Sequence, residues 1–362
     1  MRKVDKSWQV VIIYVLTHLG LIFFLYPADI IGSTEEAHWI PVTIGVILHI
    51  AVVSLYMRGL AFFPGKNIIE IYTRSGNVLK VVFLLPIFAY FIMAIIITLR
   101  AYSEIITIVF LTNTPLWAIM LLFLVITCFL AMKGVETILR TGVLIAFLFL
   151  PLIFFVMIYS FQNVDWNYIF PIWNDDFSFI KNQIYLNSFF AIGGGFLFLG
   201  FVQPYFTFQR KKVLLGIAFV IPCFFLSVYV PLLTYGQATA STFFFPFVMT
   251  LDAINITWLM FDRVTIFFLL SLITFIMLFL SLVMWKAVKI ANAFLPFAKH
   301  SYLVLFFSTI IYLICLWIPN WSDVEKLFSW NTLLRFYVLI TVPLSLYCLG
   351  MWSKRRGRHH EV

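Results

Sequence analysis

The stretch NSFFAIGGGFLFLGFVQP, from Asn187 to Pro204, reads as the middle of an apolar helix, yet Gly193, Gly194 and Gly195 stand together at its centre. Glycine in a helix interior costs about 0.5–1 kcal/mol relative to alanine. Close helix packing explains one small residue. It does not explain three in a row, because adjacent positions face different sides of a helix. The run is therefore read as a break. In hydrocarbon, a break frees backbone N–H and C=O groups, which are tolerated only where they line a cavity or meet a ligand.

The rest of the chain sets the solvent. Of its 362 residues, 63% are hydrophobic and 11% charged, and the mean hydropathy is +1.05. Soluble domains are nearer half apolar and a quarter charged. About 20 apolar residues span the hydrocarbon of a bilayer. Ten such segments are legible: 8–26, 39–60, 79–110, 115–132, 138–161, 185–208, 213–235, 264–294, 302–318 and 332–352. Spans of this kind are helices, so the fold class is all-α integral membrane. They form two runs of five, about 8–161 and 185–352, in a single membrane domain over 1–362 with a basic tail at 353–362. The connections are too short for a soluble domain. The longest, Gly236 to Arg263, is aromatic, contains Pro246 and is expected to lie along the interface.

The formal charge of +9 is not a nucleic-acid surface. With the N-terminus inside, most of the basic residues fall in inside segments, Lys286 and Lys289 among them, whereas Asp29, Asp175 and Asp262 fall outside. This is the positive-inside pattern. It places both termini in the cytoplasm, which needs an even number of spans. The opening MRKVDKSWQV has a basic leader, but its apolar run is full length and no A-x-A cleavage site follows, so it is read as a retained first span. Cys128, Cys223, Cys315 and Cys348 lie in different spans without a C-x-x-C and are read as apolar fillers. There is no nucleotide loop, zinc spacing or catalytic triad, so neither an enzyme activity nor a metal or cofactor is expected.

The first span repeats the signature of the sixth. VLTHLGLIFFLYP carries Thr17, His18, Gly20 and Leu21 ahead of Pro27, as the glycine run lies ahead of Pro204. These spans open the two halves and cross in opposite directions. Glycine-interrupted segments in matching positions of two inverted halves point to a transporter-type binding site. The candidate ligand-binding residues are Thr17, His18, Gly20, Leu21, Gly193, Gly194 and Gly195, with Tyr90 reaching in from span 3. Half-helix N-termini there suit a carboxylate. His18 reads either as a ligand- or proton-linked group or as a hydrogen-bonded interior histidine. No Asp or Glu lies between Asp176 and Asp252, so a ligand at the glycines would be held by main-chain groups. Arg100 and Glu104 share a helix face in span 3. They lie about 30 Å beyond Lys80, near an outer boundary where arginine snorkels, and read as a structural ion pair or an outer gate. KGVETILR, with Glu136 and Arg140, reads as the start of an interfacial helix on the inside.

Several segments, taken together, resemble one family. LGLIFFLYP, FFPGKNIIEIYTRSGNVLK, LRAYSEII, NTPLW, KGVETILRTG and VQPYFTFQRKK, in this order and spacing, are similar to the B subunit of bacterial spore germination receptors. That family belongs to the amino acid–polyamine–organocation transporter superfamily. The resemblance covers nearly the whole chain and is strongest from span 2 to span 7. It implies ten transmembrane helices in a 5+5 inverted repeat of the LeuT type, with broken helices 1 and 6 unwound at Thr17 to Leu21 and Ile192 to Phe196. It implies nutrient sensing in the spore inner membrane or the cell membrane, with a small-molecule germinant, often an amino acid. The partners it implies, besides membrane lipid, are a larger A subunit and a lipoprotein C subunit. The same fold also serves secondary amino acid transporters and could form an ion or water channel. A coupled carrier usually keeps an intramembrane carboxylate, and the only clearly intramembrane acid here is Glu104, which favours a sensor.

Overall fold

The computed structural model describes residues 6–109, 111–193, 195–203, 205, 209–254 and 264–359. In chain order its α-helices are α1 (Ser7–Ile22), α2 (Tyr26–Ile31), α3 (Trp39–Ala61), α4 (Ile68–Ser75), α5 (Asn77–Val109), α6 (Leu116–Lys133), α7 (Val135–Tyr159), α8 (Gln183–Gly193), α9 (Phe198–Val202), α10 (Arg210–Ala240), α11 (Pro246–Asp252), α12 (Val264–Phe294), α13 (His300–Trp317), α14 (Trp321–Phe336) and α15 (Val342–His359). A π-helical turn, Tyr337–Thr341, joins the last two. Among the described residues there is no β-strand.

The core is built around α1. Val10, Ile13, Tyr14, Leu16, Thr17 and His18 are all 0% exposed, although they point in different directions around the helix. A helix apolar on every side belongs inside a bundle, and α1 packs on α10, α12 and α7. The outer surface is apolar too, with Phe147 83% and Trp317 88% exposed. Such a surface needs a hydrocarbon solvent. Among the described residues, nine helices are long and apolar enough to cross a membrane, while α1 is a shorter apolar helix. Its 16 residues extend about 24 Å, so the expectation of ten spans counts α1 and α2 together as the first.

Local chemistry sets the joints. Gly134 takes φ 88 between α6 and α7, a left-handed conformation that side chains resist. It turns the chain in one residue. KGVETILR begins a helix there, as expected, and Glu136 meets Lys6 at 3.4 Å and Arg140 at 3.9 Å. Asn67 caps α4 by accepting the Glu70 N–H at 2.6 Å, which seats Ile68, Ile71 and Tyr72 inward.

The segment after Gly236, expected along the interface, is described as far as Ile254. Its helix α11 is buried, with Phe247 at 1% and Leu251 at 0% exposure, because its apolar face finds α10 and α12. Residues 255–263, including Asp262 and Arg263, lie outside the described residues. The last span starts at Trp321 rather than near 332, since Asn320 caps α14 by accepting the Asp323 N–H at 3.1 Å. Lys286 is not in an inside segment. It sits within α12 at 1% exposure, with Nζ over the Phe91 ring, 4.3 Å from its centroid.

Candidate ligand-binding site

The first span is interrupted at Phe23 to Leu25, between α1 and α2. The predicted unwinding at Thr17 to Leu21 is therefore four to six residues too early. Proline sets the position. Pro27 lies in the first turn of α2, where its missing N–H is tolerated, and it disfavours helical continuity through the residues before it. Gly20 stays helical and serves close packing: a Cβ there would lie 3.1 Å from Ile276 Cδ1 and 3.2 Å from Phe275 Cβ of α12. Leu21 is likewise helical and buried. The end of α1 leaves carbonyls that need partners. Leu19 O and Leu21 O accept long bonds from the N–H groups of Phe23, at 3.5 Å, and Phe24, at 3.4 Å. Gly20 O accepts the hydroxyl hydrogen of Tyr102 from α5.

The sixth span behaves in parallel. α8 ends at Gly193, the chain turns at Gly195, Phe196 and Leu197, and α9 begins at Phe198. The break thus falls in and just after the predicted Ile192 to Phe196, while Gly194 lies outside the described residues. Phe198 N–H donates to Gly195 O at 3.0 Å and Leu199 N–H to Phe196 O at 3.1 Å. Leu197 O accepts from the Tyr56 hydroxyl of α3 at 2.9 Å. A tyrosine from a neighbouring helix thus satisfies a carbonyl at each interruption.

The break in the sixth span touches the body of α1. A Cβ on Gly195 would lie 3.1 Å from Thr17 Oγ1, so the bare glycine lets the turn approach α1. The Thr17 hydroxyl is held by its own helix, reaching Ile13 O at 2.8 Å and Tyr14 O at 3.1 Å. Gly193 faces Leu339 of the π turn, 3.3 Å from where its Cβ would be. His18 is an interior histidine, with Nδ1 2.7 Å from Tyr14 O, but its Nε2 has no partner. Phe24 stacks on Tyr102 at 4.0 Å and on Phe245 at 5.2 Å, and Phe245 meets Trp321 at 5.7 Å. This aromatic layer separates the centre from a vestibule of about 400 Å³ lined by Leu25, Asp29, Asn187, Trp321 and Glu325, among others.

Two predicted residues stand elsewhere. Tyr90 lies in electrostatic reach of Arg335, twelve residues before Tyr102 on α5, about 18 Å along the axis. Tyr102 is the α5 tyrosine at the break. Arg100 does not snorkel: it is 3% exposed, meets Glu104 Oε2 at 2.5 Å and sends Nε and Nη2 to Ile318 O at 3.4 and 3.3 Å. Its donors find partners between helices, tying α5 to the chain after α13.

Sequence reading missed Tyr14, His49, Tyr56 and Arg335. Tyr14 and His49 Nε2 share a short hydrogen bond, and His49 Nδ1 has no partner. Tyr14, His49 and Tyr56 are single polar residues inside apolar runs, a signal identical to that of an interfacial aromatic. Replacing Tyr102 with phenylalanine should leave Gly20 O unpaired in an apolar site, a cost of about 1–3 kcal/mol. A fall in thermal stability of the purified chain is the expected reading, and an unchanged melting curve would show that water or another donor already serves that carbonyl.

The sequence model of the family described as spore germination protein matches residues 5–324. The chain belongs to the spore germination protein family. Spore germination protein B2 of Bacillus subtilis (strain 168) is 21% identical over 387 aligned positions, covering 99% of each chain. The putative spore germination protein YfkT of the same strain is 23% identical over 235 positions, 64% of each. Among solved structures, MhsT in complex with L-phenylalanine superposes with a TM-score of 0.62, covering 97% of this chain and 99% of that one at 12% identity. That likeness shows the fold, which is of the LeuT type. This spore germination protein is thus a multi-pass membrane protein of a permease-like family.

Proposed function

We propose that this spore germination protein is the nutrient-sensing subunit of a germination receptor and binds a small zwitterionic germinant, an amino acid, between the interrupted first and sixth spans. The observation that carries this reading is the pair of broken helices whose freed carbonyls meet tyrosines at Gly20 and Leu197, with Thr17 and Gly195 in direct approach. The ends of α1 and α8 bring partial negative charge to the breaks and suit an ammonium group, while the starts of α2 and α9 suit a carboxylate. Tyr102 and Phe24 offer an aromatic wall for the side chain. The structural neighbour MhsT was solved in complex with L-phenylalanine, a ligand of this class. Both termini then face the cytoplasm, the membrane is the spore inner membrane, and the receptor includes a larger A subunit and a lipoprotein C subunit.

A sensor need not accumulate its ligand. Purified chain in proteoliposomes is expected to bind a labelled germinant amino acid saturably without concentrating it under an imposed ion or proton gradient. Gradient-driven accumulation would make the chain a secondary transporter, and ligand-gated conductance would make it a channel.

A further inference from the structure

At the basic end of the bundle, where α6, α7, α12 and α13 meet, the surface opens into a pocket of about 500 Å³. Lys133, Arg140, Lys289 and His300 line it, together with a single acid, Glu136. Glu136 is already engaged by Lys6 and Arg140. Lys133 and Lys289 have no acidic partner among the described residues. Their ammonium groups rest over rings instead, Lys133 over Phe129 at 5.5 Å and Lys289 over Tyr205 at 5.6 Å and Trp285 at 5.8 Å. His300 sets Nε2 3.2 Å from Ala131 O and leaves Nδ1 buried without a partner. The first turn of α7 also opens on the pocket with no side-chain cap, so its leading N–H groups lack that acceptor. The two ammonium groups and the uncapped start of α7 favour an anion with several acceptor oxygens.

The same two helices carry an apolar groove of about 440 Å³ away from this pocket, lined by Leu121, Val125, Phe129, Leu305, Ser308 and Tyr312, among others. Met132 of the groove adjoins Lys133 of the pocket, and Leu305 follows His300 by five residues. From Leu121 to Met132 the groove runs about 17 Å, close to the ~15 Å that one leaflet contributes to the hydrocarbon. Ser308 is 6% exposed and its hydroxyl, within the groove, has no partner.

A basic mouth continuous with a leaflet-length apolar slot matches one molecule, polar and anionic at one end and a hydrocarbon chain at the other. We propose that this face binds an anionic phospholipid, with its phosphate held by Lys133, Lys289 and the start of α7, and one acyl chain seated between α6 and α13. Basic pockets between helix ends on the cytoplasmic side recognise such headgroups. Tyr205, just beyond α9, also lines the pocket, so a bound headgroup joins the inner part of the interrupted sixth span to the α6–α7 joint. The site is independent of any ligand at the glycine run.

The test uses the purified full chain in detergent, with palmitoyl-oleoyl phosphatidylglycerol, the matching phosphatidylcholine, and inorganic phosphate as probes, read by native mass spectrometry and thermal stability. Phosphatidylglycerol should be retained at least ten-fold better than phosphatidylcholine. Loss of two cationic contacts in K133Q/K289Q should weaken it about thirty-fold, K133R/K289R should keep it, and Ser308→Trp, which changes no charge, should also expel it. Equal retention of the two lipids, or undiminished phosphatidylglycerol preference in both K133Q/K289Q and Ser308→Trp, would overturn the site. Stabilisation by millimolar phosphate equal to that by phosphatidylglycerol would show an anion pocket with no lipid role. If the glutamine pair fails to accumulate, the charge-neutral Ser308→Trp carries the test alone.

Discussion

Gly195→Leu should weaken germinant binding by roughly 5- to 150-fold while the chain still accumulates in the membrane. A Cβ at this position would lie 3.1 Å from Thr17 Oγ1 and 3.6 Å from Thr17 Cβ. Thr17 is not free to swing away, since its hydroxyl is engaged with Ile13 O and Tyr14 O inside α1. Alanine adds one atom and needs a few tenths of an ångström, so its effect should be a few-fold. Leucine adds three further carbons at a fully buried junction. Overpacking of this kind costs about 1–3 kcal/mol, a weakening of roughly 5- to 150-fold if it falls on the bound state. Gly193→Ala is the contrast: its neighbour is the flexible end of Leu339, at 3.3 Å, and binding should stay near normal. Binding of labelled germinant, normalised to protein in the membrane, separates these outcomes. Normal binding by Gly195→Leu would remove the sixth-span break from the site.

Arg335→Leu should produce the largest loss of stability. Its side chain is 0% exposed and bridges two helices. Nη1 donates to Leu186 O at 3.0 Å and Asn187 O at 2.9 Å in α8, and Nη2 donates to Phe328 O at 3.1 Å in α14. The guanidinium plane also lies over Phe190 at 5.2 Å and Phe328 at 4.8 Å. Hydrogen bonds from charged donors contribute about 1.5–3 kcal/mol, and leucine supplies none. A drop of about 5 °C or more in the melting temperature of purified chain is expected. Arg335→Lys should fall between, because lysine keeps the charge but not the planar fork. An unchanged melting temperature for the leucine variant would mean that α8 and α14 are held by their apolar contacts alone.

Much of the fold was legible because the bilayer imposes it. Long apolar runs must be helices, and the all-helical arrangement follows from the same runs that hydropathy marks. The breaks were legible as irregular residues but not equally well placed. In the sixth span the glycines coincide with the turn. In the first span Gly20 drew attention, whereas the chain unwinds at Phe23 to Leu25, where Pro27 acts. Glycine permits a break and also permits close packing, and only the neighbour across the interface, here Ile276, decides between them. Buried charges were harder still. Arg335 and Lys286 each lie in strongly apolar surroundings, and counting along a span places such residues at its end. Their partners, carbonyls of α8 for one and the Phe91 ring for the other, are distant in sequence. The same holds for Tyr56, whose target Leu197 is 141 residues away.

The π turn at Tyr337–Thr341 gives the last helix an unusual economy. A π turn takes in one residue more than the α turn it replaces, so it works as slack in an otherwise taut rod. Above it Arg335 is fastened to α8, and below it Ser345 accepts or donates across to Tyr72 at 2.7 Å. Leu339, in the slack itself, is the side chain that abuts Gly193. The neighbour of the glycine run is thus carried on a widened turn set between two anchors, and Tyr337 of that turn is itself tied to α5 by its hydroxyl on Val82 O at 2.7 Å.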